Sequence, residues 1–296
     1  MGALTFFCYT VGFLAFFLLA LPAISPANRM GEKKLGKFFS RYLVDARIDY
    51  FTAYGRRMRY LSIENPGKPL LLLLHGAPGS LTSFLTFCID PFLLRFFHIV
   101  AVDRPGYGYS GPGKPVLSVW QQSRMMRALV EHLVPGKQPG IIVAESYSAA
   151  IACFMAADMP GLTAGMILIS ANPNRGKQKR WAWSRLLDQP VLNWIRPRAL
   201  VAASRERMKL ADERHDMAGL CRHINIPVMY LRAEDEERSR VSNVAMENEY
   251  LAGLSSLDTA FFSARTRNVL REQQSLIRSK IFEMLERVRE QTGEWK

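Results

Sequence analysis

The sequence predicts an α/β fold: a doubly wound, mostly parallel sheet, carried behind one apolar segment at the amino terminus. Three observations predict it. Short continuous apolar runs recur, as expected of strands buried on both faces of a parallel sheet. Residues 70–76, LLLLLHG, and 97–103, FHIVAVD, are two of them. Stretches with helical spacing separate these runs, the alternation of a parallel sheet flanked by helices. Several runs end in turns of glycine, proline and polar residues, and the carboxyl ends of the strands are where such sheets hold their sites.

Taken in chain order, residues 3–24 (ALTFFCYTVGFLAFFLLALPAI) carry no charge. At about 1.5 Å per helical residue they are long enough to cross a bilayer. No Lys or Arg precedes the run, which argues against a cleaved signal peptide, so residues 1–27 are expected to be a transmembrane anchor. Residues 28–44 read as a basic linker with Arg29, Lys33, Lys34, Lys37 and Arg41. A flank of this sign stays on the cytoplasmic side, and the remaining chain is expected there. Residues 45–63 read as two strands joined at Gly55-Arg56-Arg57. After the strand at 97–103, a helix is predicted from about Val116 to Val134, with Trp120, Met125, Leu129 and Leu133 on one face. GIIVAES at 140–146 is a third buried strand and AAIACFMAADM at 149–159 a helix of small residues. GMILIS (165–170), IPVMYLRA (226–233) and LDTAFFSA (257–264) follow as strands, and an amphipathic helix from about Gln273 to Glu290 closes the pattern. Residues 175–222 break the alternation: they are basic, hold no good strand and carry Trp181, Trp183 and Trp194. They are expected to form a helical cap over the strand ends, dividing the core into 45–174 and 223–296.

The chain holds 39 Lys and Arg against 26 Asp and Glu, a net charge of +13. Such an excess favours an anionic partner, a membrane surface or a nucleic acid. No zinc spacing, helix-turn-helix or RNA-binding signature is present, so nucleic acid is not expected. Cys8, Cys88, Cys153 and Cys221 show no CxxC and no secretory spacing, and read as buried free thiols of a reducing compartment. Without a metal-ligand cluster, phosphate loop or dinucleotide fingerprint, no cofactor is expected.

Chemistry is concentrated in three turns. The first is His75-Gly76-Ala77-Pro78-Gly79-Ser80 and the second Asp103-Arg104-Pro105-Gly106-Tyr107-Gly108-Tyr109-Ser110. The third, Ala144-Glu145-Ser146-Tyr147-Ser148, joins a buried strand to a helix. HGxPGS followed by DRPGYGxS resembles the α/β-hydrolase superfamily, and the likeness runs over about residues 45–290, through NxxxxxEYL-like residues near Asn243. It is nearest to membrane-anchored bacterial members. The resemblance implies a nucleophile at Ser146, on the position of the G-x-S-x-G elbow, with both elbow glycines replaced, by Ala144 and Ser148. It implies an oxyanion hole from the backbone N–H groups of Ala77 and Tyr147. It places the acid at Asp235, with Glu234 and Glu236 beside it, and the base after LDTAFFSA. There this sequence has Arg267, or Asn268 one position on, and no histidine follows His223. Arginine stays protonated and offers no lone pair near neutral pH. Beside Asp235 it would form an ion pair and a positive pocket wall suited to a carboxylate or phosphate.

Two functions follow from this pattern. One is a membrane-anchored serine hydrolase acting on an ester or amide of an apolar small molecule. The other is a non-catalytic descendant of the same fold that binds a ligand or partner at the membrane surface.

Overall fold

The computed structural model describes residues 29–134, 139–158, 160–169, 198–213, 219–233, 251, 253–263 and 268–293. The segment read as the anchor, the cap tryptophans, Asn243, Asp235 and Arg267 all lie outside these residues. Among the described residues, no helix is long and apolar enough to cross a membrane.

Eight strands form one sheet: β1 (Arg47–Ala53), β2 (Arg56–Ile63), β3 (Leu70–Leu74), β4 (His98–Val102), β5 (Gly140–Glu145), β6 (Thr163–Ile169), β7 (Val228–Ala233) and β8 (Leu257–Phe262). Their order is β1-β2-β4-β3-β5-β6-β7-β8. The β1–β2 and β2–β4 pairs are antiparallel and all the others parallel. The predicted doubly wound sheet is therefore present, with an antiparallel hairpin on one edge. Strand β3 is five leucines, all buried, because helices cover both faces of the sheet. Alternate residues of the central strands feed two separate cores: Leu70, Leu72 and Leu74 face one layer, Leu71 and Leu73 the other.

The hairpin turns one residue earlier than the sequence predicts. Ala53 pairs with Arg56, leaving Tyr54 (φ 49°) and Gly55 (φ 71°) as the two central residues. A two-residue loop with both φ positive matches the right-handed twist of the flanking strands, so Arg56 and Arg57 already belong to β2.

Five helices matter for the site. They are α1 (Glu32–Arg41), α2 (Val119–Leu133), α3 (Ser148–Asp158), α4 (Arg198–Asp212) and α5 (Gln274–Thr292). Helix α2 starts at Ser118, whose hydroxyl caps the N–H of Gln121. Trp120 is not on its buried face, contrary to the sequence reading. It is 48% exposed, and Val119, Met125, Met126, Leu129 and Val130 line the core side instead. Five residues separate Trp120 from Met125, which at 3.6 residues per turn puts them well apart around the helix. Helix α1, inside the stretch read as a linker, packs on the core through Leu35 and Phe39. Helix α5 crosses β6 closely: a Cβ at Gly165 would stand 2.6 Å from the Met284 sulfur.

Candidate active site

The parallel register fixes the geometry of the strand ends. Leu74 is level with Val102 on one side and Ala144 on the other. The turns after β3, β4 and β5 therefore emerge together at one edge of the sheet. Ile169 of β6 is level with Glu145 and with Leu231 of β7, and Ala233 of β7 with Phe262 of β8. β7 and β8 thus end at the same edge of the sheet as β5.

Ser146 occupies the bend between β5 and α3 with φ 51°. A non-glycine residue in the left-handed region is uncommon and costs about 1–3 kcal/mol. The bend is held by its neighbours: Ser146 N–H donates to Ile169 O at 2.8 Å, and Ser146 O accepts from Ala149 N–H at 3.1 Å. Ala144 needs no special space, being buried in the strand. Ser148, at the second glycine position, is fully buried and donates its hydroxyl to His75 O at 2.6 Å. The replacement is thus a cross-link to the neighbouring turn rather than a strained intruder.

That neighbouring turn lies against the serine. A Cβ built on Gly76 would stand 3.2 Å from Ser146 Cβ and 3.2 Å from Glu145 Oε2, so a larger residue would push these neighbours back by a few tenths of an ångström. Gly76 N–H donates to Glu145 Oε2 at 2.9 Å. Ala77 follows Gly76 and Tyr147 follows Ser146, so each residue that the resemblance assigns to an oxyanion hole is next in sequence to one of this close pair.

Behind the turn is a fully buried polar assembly. Arg104 donates from Nε to His75 O (2.9 Å), from Nη2 to Gly76 O (3.3 Å) and from its backbone N–H to His75 Nε2 (3.0 Å). Its Nη1 donates to Glu206 Oε1 at 2.9 Å and its Nη2 to Glu206 Oε2 at 3.3 Å. Tyr107 Oη donates to Glu206 Oε2 at 2.7 Å, and Gln122 Nε2 donates to Glu206 Oε1 at 2.8 Å. The Arg104 guanidinium also lies over the rings of Tyr107 and Tyr147, 4.7 and 4.8 Å from their centroids. Burial, then the Glu206 charge, pushes both tyrosine hydroxyls far above their usual titration range. Glu206 sits on α4, in the segment read as the cap, so one bidentate ion pair ties that helix to the turn beside Ser146. Asp103 is likewise structural, accepting from Arg59 and from the N–H groups of Leu81 and Tyr109.

Among the described residues, no histidine is seen to serve Ser146 as a base. Because Arg104 N–H occupies Nε2, His75 donates from Nδ1 to Gly76 O at 2.7 Å. Burial, and then the Arg104 charge, hold its pKa well below the ordinary value. His98 pairs with Ser62 Oγ at 2.9 Å, and His132 stacks on Phe51. His223 lines a groove of about 650 Å³ with Ser118, Trp120, Phe154, Glu213, Gly219 and Leu220. Among the described residues, Ser146 is not part of that groove's wall. His215 lies outside the described residues. Asn268 is not a base either: it is exposed, caps the helix Val269–Glu272 by accepting from Arg271 N–H, and donates its own N–H to Glu272.

Sequence reasoning singled out Ser146, Ala77 and Tyr147, which lie in these two adjoining turns, and Asp235 and Arg267, which lie outside the described residues. It missed Glu145 and Glu206. Glu145 was legible only as a polar residue inside the elbow. Glu206 lies in a charged helical run, RERMKLADE, with nothing to distinguish it from a solvated face.

A family model described as "alpha/beta hydrolase fold" matches residues 69–215. The chain is 26% identical over 126 residues to the uncharacterized hydrolase YugF of Bacillus subtilis, covering 42% of this chain and 45% of that protein. It is 33% identical over 132 residues to the human mesoderm-specific transcript homolog protein, covering 42% of this chain and 35% of that one. The chain spans less than half the length of these curated relatives. Among solved structures, a membrane phospholipase A described as a bacterial virulence factor superposes with a TM-score of 0.63 at 20% identity, over 97% of both chains.

Proposed function

We propose that this chain, which has the α/β-hydrolase fold, is a membrane-anchored hydrolase of the serine type that takes an ester or amide of an apolar small molecule at Ser146. The observation that carries the reading is the strained bend at Ser146, φ 51°, set against the Gly76–Ala77 turn. Strain of this kind persists where the surrounding structure over-determines it, and here it falls on the serine at the carboxyl end of β5. In this reading the N–H groups of Ala77 and Tyr147 receive the oxyanion, Asp235 is the acid, and Arg267 stands where relatives carry the base. Residues 1–27 anchor the protein, and the basic flank keeps the domain on the cytoplasmic side.

A second reading has its own support. His75 and His98 are hydrogen-bonded elsewhere, His132 stacks on Phe51, and the sequence has no histidine after His223. A serine without a base is a weak nucleophile, and an oxyanion hole alone retains only a fraction of the catalysis. The same strand-end site would then bind an anionic or ester ligand without turning it over.

Fluorophosphonate labelling of the full chain in detergent separates the two. The hydrolase reading expects labelling of the parent and its loss in Ser146→Ala. An unlabelled parent that gains labelling in Arg267→His would move the assignment to the binding protein.

A further inference from the structure

Helix α1 presents a face that the core does not use. Leu35 and Phe39 are buried against the sheet, while Lys33, Lys34, Lys37 and Arg41 are exposed. At about 100° per residue these four cations fall within an arc of about 100° on the side opposite Leu35 and Phe39. The one acid of the helix, Glu32, is turned aside to accept from Tyr50 Oη. The outward face is therefore uniformly cationic.

The end of the helix adds a second, independent observation. Leu43 N–H donates to Ser40 O and Val44 N–H to Phe39 O, the two bonds of a Schellman terminus. The left-handed residue of that motif is ordinarily glycine, yet here it is Leu43, with φ 54°. Leu43 is 94% exposed, and Tyr42 beside it 52%. A leucine in a strained conformation with its side chain in water loses on both counts unless something apolar covers it.

We propose that α1 is a second membrane contact, its cationic face lying on the headgroups of an anionic bilayer with Leu43 and Tyr42 inserted at its end. Charge complementarity argues for a bilayer as the occupant, and so does the place of the helix in the chain, beginning eight residues after the uncharged run 3–24 ends. An amphipathic helix with Lys and Arg outward and an apolar or aromatic end binds interfaces in this way. The proposal rests on the anchor reading above only for what brings the helix to the surface.

The test uses the full chain in vesicles of phosphatidylcholine alone and of phosphatidylcholine with phosphatidylglycerol. An environment-sensitive fluorophore is placed at Leu43→Cys in a Cys8→Ser background, and at Thr259→Cys on the far edge of the sheet as a reference. The proposal expects a blue shift and quenching by brominated lipid at position 43 with the anionic lipid, and neither at position 259. Lys33→Glu with Lys37→Glu and Arg41→Glu should abolish the shift while the chain still floats with the vesicles. A water-exposed label at position 43 in anionic vesicles overturns the proposal. So does a shift that is equal without anionic lipid, or one that grows with protein concentration in detergent, which would assign the face to a second copy. If the chain does not float with phosphatidylcholine vesicles, the anchor reading fails. The α1 proposal then stands or falls on whether anionic vesicles alone retain the chain.

Discussion

Arg104 and Glu206 are both fully buried and meet in a bidentate pair. The attraction in such a pair is offset by the loss of hydration, but removing one partner strands a buried charge. Glu206→Gln is therefore expected to destabilise the protein by about 3–5 kcal/mol. Combined with Arg104→Met, the loss should be clearly smaller than the sum of the single losses, as denaturant unfolding of the four proteins of a double-mutant cycle would show. His75 offers a pH-dependent counterpart. Its folded pKa is held below the ordinary 6.5 by burial and by Arg104. As pH falls below about 6.5 the unfolded chain takes up a proton there and the native one does not. Stability should accordingly fall toward acid, with a slope of up to about 1.4 kcal/mol per pH unit from this group, until the native ring also protonates. His75→Gln should flatten that part of the profile between pH 7 and pH 5, measured by unfolding at a series of pH values; an unchanged slope would exclude His75 as the cause.

At the scale of elements, the termini and bends carry the information that periodicity lacks. The strands and long helices were legible because their apolar periods reflect burial: β3 as a run of leucines, α2 and α5 as amphipathic stretches. The bend at Ser146 was legible from its place between an apolar run and a small-residue helix, although neither elbow glycine is present. What compensates for the second glycine, the Ser148 hydroxyl on His75 O, joins the first residue of α3 to the turn after β3 and has no local signature. The same holds for the docking of α1, whose charge pattern reads equally well as a solvated linker until Leu35 and Phe39 meet the sheet. Its terminus yields a further expectation. Leu43→Gly relieves a left-handed leucine and should raise stability by about 1 kcal/mol in detergent, read as a higher unfolding midpoint. A lower midpoint would mean that Leu43 packs on the protein.

At the scale of the whole molecule, the fold class was legible because alternation of apolar runs and helices constrains topology, whereas the joining of the inserted segment to the core was not. Glu206 reaches the strand ends only because α4 lies over them, and one helix sequence cannot announce its partner 102 residues away. Two glutamates act on the same turn. Glu145 accepts from Gly76 N–H, while Glu206 acts through Arg104 on the carbonyls of His75 and Gly76. The candidate site is thus a property of the assembled sheet, its register and the inserted helix together.

The run Leu70–Leu74 has a further consequence, one of time rather than of energy. In the finished sheet these leucines pair with β4 and β5, whose partners begin near His98 and Ile141. Pairings so distant along the chain close slowly, because the loop between them must first be ordered. Until β5 arrives, five consecutive uncharged leucines present an open edge, the kind of segment that templates pairing with other chains. Refolding from denaturant should therefore give a yield that falls as protein concentration rises, with light scattering appearing before native structure. A yield independent of concentration would mean that β3 is covered early, by non-native contacts or by the β1–β2 hairpin side of the sheet.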